Sequence, residues 1–275
     1  MIRAFFIFII FLLGSQVSGQ VTRNPELVAV ESRLDSLFEL LYSDSLADPE
    51  PVLEQILEVM PGALTLEGAM KYPWSGLDRI GVRRSEDGQI TVFTWHVMDD
   101  PDNYRYFGYI QVAQKRGKLA VFPLTDNIKP QRSVYKLEQS TVDWYGKLCY
   151  DIVTERAKRK TYYTLLGMDF NNVHSNIKII EVMMIHRNTP VFVKEMFFNG
   201  HDRVDRVILE YSSQVAMTVR HDPNLDMITF DHLVPLHPVY KNNFEFYGPD
   251  GSFDGLEFES GRWILREDLD ARLEY

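Results

Sequence analysis

From Leu77 onward the chain is written in short runs of β-branched and aromatic residues, each closed by a cluster of Gly, Asp, Asn or Pro. VFTWHV, YRYFGYIQV, TYYTLLGM and KIIEVMMIH are such runs; Glu86-Asp87-Gly88, Arg116-Gly117, Asn199-Gly200 and Pro249-Asp250-Gly251 punctuate them. This composition reads as strand, and connections this short reverse the chain on itself. Parallel neighbours need crossovers of about a dozen residues or more, so a parallel sheet is not expected. The predicted fold class is therefore mainly β: an antiparallel β-meander domain of about 12–14 strands, carrying an N-terminal α-helical hairpin. Repeating pattern divides the strands into three groups of about four, stacked or radially arranged, the third opening at VDRVILEYS. VFTWHV and KIIEVMMIH are apolar on both faces, which suits strands buried between layers.

The helices are announced by their start signals. Asn24-Pro25 places a capping residue before a first-position proline, and Leu27, Val30, Leu34, Leu37, Phe38 and Leu41 follow mostly at three- and four-residue steps. Asp48-Pro49 repeats the signal, and Pro61-Gly62 is expected to stop the second helix. The predicted division is a signal peptide over 1–19, a helical segment over 20–72 and the antiparallel all-β domain over 73–275.

Residues 1–19 read MIRAFFIFIIFLLGSQVSG, one positive charge, an apolar run and a small-residue end. That is the layout of a secretory signal peptide, and it predicts export to the periplasm, the outer membrane or the medium. The single cysteine, Cys149, cannot form an internal disulfide, so burial must hold an exported chain together. Within LCYDIV it reads as a small buried hydrophobe. No later run is apolar for long enough to be a membrane helix. With 39 acidic against 29 basic side chains and a net charge of −10, the chain is not built to neutralise nucleic-acid phosphates.

Chemistry-bearing motifs are scarce: there is no G-x-S-x-G, H-E-x-x-H, P-loop, dinucleotide fingerprint or C-x-x-C. Asp250, Ser252 and Asp254, followed by Gly255, match the first half of an oxygen-rich calcium loop, but Gly261 stands where its bidentate glutamate belongs. A hairpin turn is the competing account of that segment. Asp222, Asn224 and Asp226 repeat the alternate spacing and are the second candidate metal set. The acidic turns 99–103, 169–172 and 222–226 are expected either as plain solvated turns or as one shared negative rim, with Tyr104, Tyr106, Phe170 and Tyr247 offering faces to sugar rings. His221, His232 and His237 with Asp231 match no zinc spacing. The basic run Arg156–Lys160 reads as a hairpin tip. Glu257 and Glu259 share a strand face and do not make a glycosidase pair, whose carboxylates oppose each other across a cleft.

The stretches YRYFGYIQV, TYYTLLGMDFNN, KIIEV, MTVRHDPNLDMITFDHLVP and FYGPDGSFDGLEFESGRW resemble a family of exported Gram-negative proteins with no known activity. The resemblance implies an envelope location and an accessory or structural role, and it carries no catalytic residues over. The expected function is thus a non-catalytic exported envelope protein with a binding or structural role, its partner a glycan or an envelope protein. No cofactor is expected beyond calcium at the sites above. The rival expectations are a glycan-acting hydrolase with an acidic site and an outer-membrane β-barrel, the latter suggested by the alternation of Leu269, Ala271, Leu273 and Tyr275.

Overall fold

A computed structural model describes residues 24–100, 102–127 and 139–269. The expected signal peptide and Ala271, Leu273 and Tyr275 lie outside the described residues. Helix α1 (Pro25–Leu41) starts as its sequence predicts, the Asn24 side chain accepting the Glu26 N–H at 3.0 Å. At α2 (Glu50–Thr65) the Asp48 carboxylate accepts the Glu50 N–H at 3.0 Å. The expected stop at Pro61-Gly62 is wrong, because α2 continues to Thr65. Proline at 61 removes the donor to the Leu57 carbonyl, and the Tyr109 hydroxyl donates to that carbonyl instead at 3.4 Å. Gln111 Nε2 likewise donates to the Leu64 carbonyl at 2.7 Å, so the sheet below satisfies the end of the helix.

Fifteen strands follow among the described residues: β1 (Gly81–Arg84), β2 (Ile90–Asp100), β3 (Asn103–Ala113), β4 (Leu119–Thr125), β5 (Leu148–Ala157), β6 (Lys160–Asp169), β7 (Ser175–His186) and β8 (Thr189–Phe192). Then come β9 (Phe197–Phe198), β10 (Arg203–Val204), β11 (Arg206–Ser212), β12 (Val219–Asp222), β13 (Met227–Pro235), β14 (Tyr247–Glu259) and β15 (Arg262–Leu269). They form three sheets with edges rather than one closed sheet: β1-β2-β3-β4, then β11-β7-β6-β5 with β8 beside β7, then β10-β9-β15-β14-β13-β12. No described helix is long and apolar enough to cross a membrane.

The first group is the meander expected, but the second and third exchange strands. Expected to open the third group, β11 pairs with β7 of the second, Arg206 opposite Glu181. The run PVFVKEMFF (190–198), rich in β-branched and aromatic residues, splits into β8 and β9, and β9 joins the third sheet parallel to β15, with Phe197 opposite Trp263. This one parallel pair departs from the antiparallel reading, and it needs no tight connection because β10 to β14 intervene. Phe244–Phe246 is a 3-10 turn leading into β14. Pro249-Asp250-Gly251 is not a hairpin turn; it is a bulge inside the unbroken β14, where pairing shifts between Leu233–Pro249 and Asp231–Phe253. Gly251, at φ 92°, supplies the left-handed residue the bulge requires.

Alternation along the strands makes a stack of four layers. Phe93, Trp95 and Val97 face the helices, meeting Phe38, Ile56 and Leu64. On the other side of sheet one, Ile90, Val92 and Ile110 pack on Ile152, Tyr163 and Leu165 of sheet two. Sheet two in turn sends Tyr162, Leu166, Ile180 and Val182 against Phe197, Ile228, Leu256 and Trp263 of sheet three. Cys149 is buried as expected, and burial pushes its thiol up to about 12, so it stays protonated.

A charged pair sits inside this stack. Lys147 is fully buried and donates to Glu181 of β7, whose second oxygen accepts Gln139 Nε2 at 2.8 Å. The lysine stem crosses β6 at Gly167, where an added Cβ would stand 2.3 Å from Lys147 Cδ. Nearby, the buried Asp169 accepts the Tyr106 hydroxyl at 2.9 Å and the Tyr145 hydroxyl at 3.3 Å.

Candidate functional site

A cleft of about 700 Å³ opens between the β11 edge of sheet two and the β13–β14 face of sheet three. Its volume falls in the range of small-ligand sites. Ile208 and Leu209 of β11 and Phe230 and Leu233 of β13 give it an apolar body, and Tyr145, Phe244 and Tyr247 add rings. Phe244 stands exposed at the rim, 4.8 Å from the Tyr247 ring, and the Tyr247 hydroxyl accepts the Asn242 N–H at 3.1 Å. The rim segment also carries Tyr240 stacked on Phe246 at 4.2 Å, both exposed. Aromatic faces turned to solvent at a cavity mouth mark a binding surface more than a folding need.

The polar groups of the cleft are mostly acidic. Asp254 is buried and accepts from His232 Nδ1 at 2.8 Å, while its other oxygen accepts the Asp268 N–H at 3.2 Å. The hydrogen bond to Asp254 holds the His232 imidazole above its usual range, so its charged form persists toward neutrality. Asp231 accepts the Thr218 N–H at 2.7 Å, and Glu210 accepts the Ser175 hydroxyl at 2.8 Å, which itself accepts from Asn171 Nδ2 at 2.7 Å. Each carboxylate is thus fixed by the fold and keeps lone pairs for a ligand's O–H groups. Among the described residues that line the cleft there is no serine, threonine, cysteine or lysine to act as a nucleophile.

The structure brings two of the acidic turns together here. Asp102 accepts the Val173 N–H at 3.1 Å, and Asp102, Asn171 and Asn172 line the cleft beside Tyr247. Asp99 is held elsewhere, clamped by Arg105 at 2.7 Å. Turn 222–226 lies at the other end of β13 and does not share the rim. There Asp222 is buried and accepts the Asn224 N–H at 2.9 Å, while Asp226 stands at φ 53° beside His221. In the proposed calcium segment, Asp250 accepts both the N–H and the hydroxyl of Ser252, at 2.9 and 2.7 Å, whereas Asp254 turns to His232. The two carboxylates of that segment are therefore occupied with different partners. The three histidines serve separate purposes: His221 beside Asp226, His232 on Asp254, and His237 accepting the Val239 N–H at 3.3 Å. Glu257 and Glu259 both accept from Arg266. The basic run forms the exposed β5–β6 tip, with Lys158 and Arg159 at φ 50° and 63°.

Tyr104 and Phe170 belong to a different cluster, their rings tilted against each other 5.4 Å apart around His96. Burial pushes the His96 imidazole down to about 4, so it is neutral at pH 7. The unfolded chain takes up this proton near pH 6.5 and the folded one only near 4. Stability tied to His96 is therefore full above about pH 6.5 and falls as the pH drops toward about 4. His96→Phe is expected to flatten that acid limb, measured by urea unfolding at about pH 5 and about pH 7; an unchanged slope would show that His96 is solvated.

The sequence matches no known family model and no curated protein. The reading of the site accordingly rests on its own geometry. Sequence reasoning missed Tyr145, Glu210 and the pairing of His232 with Asp254, which come from four separate segments. The one local signal was a charged residue directly after an apolar run, Glu210 following Val207–Leu209.

Proposed function

We propose that the protein is a non-catalytic exported envelope protein that binds a hydroxyl-rich glycan in the cleft between sheets two and three. The observation that carries this reading is the convergence, in one cleft, of the exposed Phe244 ring and the half-buried Tyr247 ring with carboxylates anchored by the fold. Rings give a sugar's C–H face an apolar seat, and carboxylates accept its hydroxyls with charge-assisted hydrogen bonds. Export rests on the signal-like segment 1–19 and on the resemblance described above.

The test is titration of the purified protein with soluble envelope oligosaccharides, followed by calorimetry, with the same mixtures assayed for cleavage. Saturable binding without turnover is expected. Phe244→Ala with Tyr247→Ala should weaken it by about tenfold, two ring contacts at roughly 0.5–1.5 kcal/mol each. No binding to any glycan would refute the proposal. A hydrolase is the second reading, favoured by one feature, the His232–Asp254 pair in the cleft. Glycan cleavage abolished by His232→Gln would establish it in place of the first.

A further inference from the structure

At the end of β13 away from the cleft, a second group of polar side chains converges. Asp222 ties the β12–β13 turn by accepting the N–H groups of Asn224 and Leu225, at 2.9 and 3.4 Å. The turn sets Asp226 next to His221, and Glu155 of β5 arrives at the same point from sheet two. The ligand atoms of Glu155, His221 and Asp226 all lie within 4.8 Å of one another. His221 Nε2 is buried and has no hydrogen-bond partner in the protein, and Asp226 Oδ1 stands 3.8 Å from it. A buried ring nitrogen without a partner is uncommon, and an ion is one of the few things that accounts for it. Glu86 adds a further like charge near Glu155, while Arg220 is turned to Asp222 at 3.7 Å.

We propose that Glu155, His221 and Asp226 bind a divalent transition-metal ion of the zinc type. One imidazole and two carboxylates form a mixed nitrogen and oxygen set, which suits zinc; calcium prefers a shell of oxygens alone. Zinc binds such ligands at about 2.0–2.2 Å, and rotation of the two carboxylate side chains draws the donors in to that length. Three protein ligands leave a fourth position for water or for an incoming group. Because Glu155 belongs to sheet two and the other ligands flank the β12–β13 turn of sheet three, the ion would fasten the two sheets to each other. The inference does not depend on the cleft, whose nearest β13 residue, Phe230, lies about 13 Å along the strand from Asp226 at roughly 3.3 Å per residue.

The test uses the tag-free, chelator-washed protein, titrated with zinc by calorimetry and with cobalt by visible absorption. One saturable zinc site at micromolar metal is expected, with a cobalt spectrum that carries a nitrogen ligand. His221→Gln and Glu155→Gln should each weaken zinc by about tenfold or more. Asp226→Asn is the safest variant, since asparagine tolerates the φ of 53° and the side chain is exposed, and it should weaken zinc likewise. No saturable zinc binding, zinc affinity unchanged by His221→Gln, or a calcium site of equal strength insensitive to that change would each overturn the proposal.

Discussion

Lys147→Met is expected to destabilise the protein by about 3–5 kcal/mol, because it removes the cation hydrogen-bonded to the buried Glu181 carboxylate. Both partners are shut off from solvent, at 0% and 3% side-chain exposure, so water cannot replace the missing charge. Gln139 would remain on Glu181, and Arg206 opposite it on β11, but a neutral amide does not replace the hydrogen-bonded ammonium of a buried carboxylate. Methionine fits the path of the lysine stem over Gly167, so the loss reports charge, with little change of shape. Adding Glu181→Gln to Lys147→Met removes the buried charge and keeps an acceptor for Gln139, and should recover most of the loss. Urea unfolding of the two variants decides it. A double variant no more stable than the single would show that the pair stabilises by packing and not by charge.

Trp95→Ala is the second large effect, about 3–5 kcal/mol for emptying a buried indole. Trp95 is fully buried at the joint between the helices and sheet one, edge-on to Phe38 at 5.6 Å and stacked on Phe107 at 5.9 Å. Its indole N–H finds no partner, although a buried donor normally must. Trp95→Phe therefore removes an unsatisfied donor along with some volume, and its cost should fall well below that of alanine. Thermal unfolding of both variants provides the comparison; equal losses would mean that the indole nitrogen is satisfied in solution.

What could be read from the sequence is what local rules decide. Asn24-Pro25 and the stripe from Leu27 to Leu41 fixed the first helix, because capping and helical spacing act within a few residues. The strand runs and turn clusters gave the meander of sheet one, whose strands pair in chain order. Where pairing is set by distant segments the local signal fails. Nothing in VDRVILEYS distinguishes β7 as its neighbour from the strand that follows it, so the exchange between sheets two and three was not legible. Pro61 signals a stop only if its freed carbonyl goes unpaired, and Tyr109, 48 positions later in the chain, is what pairs it. Pro249-Asp250-Gly251 spells a turn in isolation, yet β13 extends past it and holds it inside a strand. The binding groups suffer the same limit. Glu155 carries no local signal of a site, and only the fold sets it beside His221.

The place of β15 has a bearing on the order in which the molecule assembles. It is the last described strand of the chain, yet it lies inside sheet three, between β9 and β14. Phe197 and Phe198 wait through some 65 residues of further chain before their neighbour exists, a long loop to close for a two-residue pairing. The helical hairpin and sheet one, drawn from consecutive segments between Pro25 and Thr125, carry no such debt to the C-terminus. One end of the stack is thus composed of near neighbours that meet early, and the other is finished only once β15 reaches its place between β9 and β14.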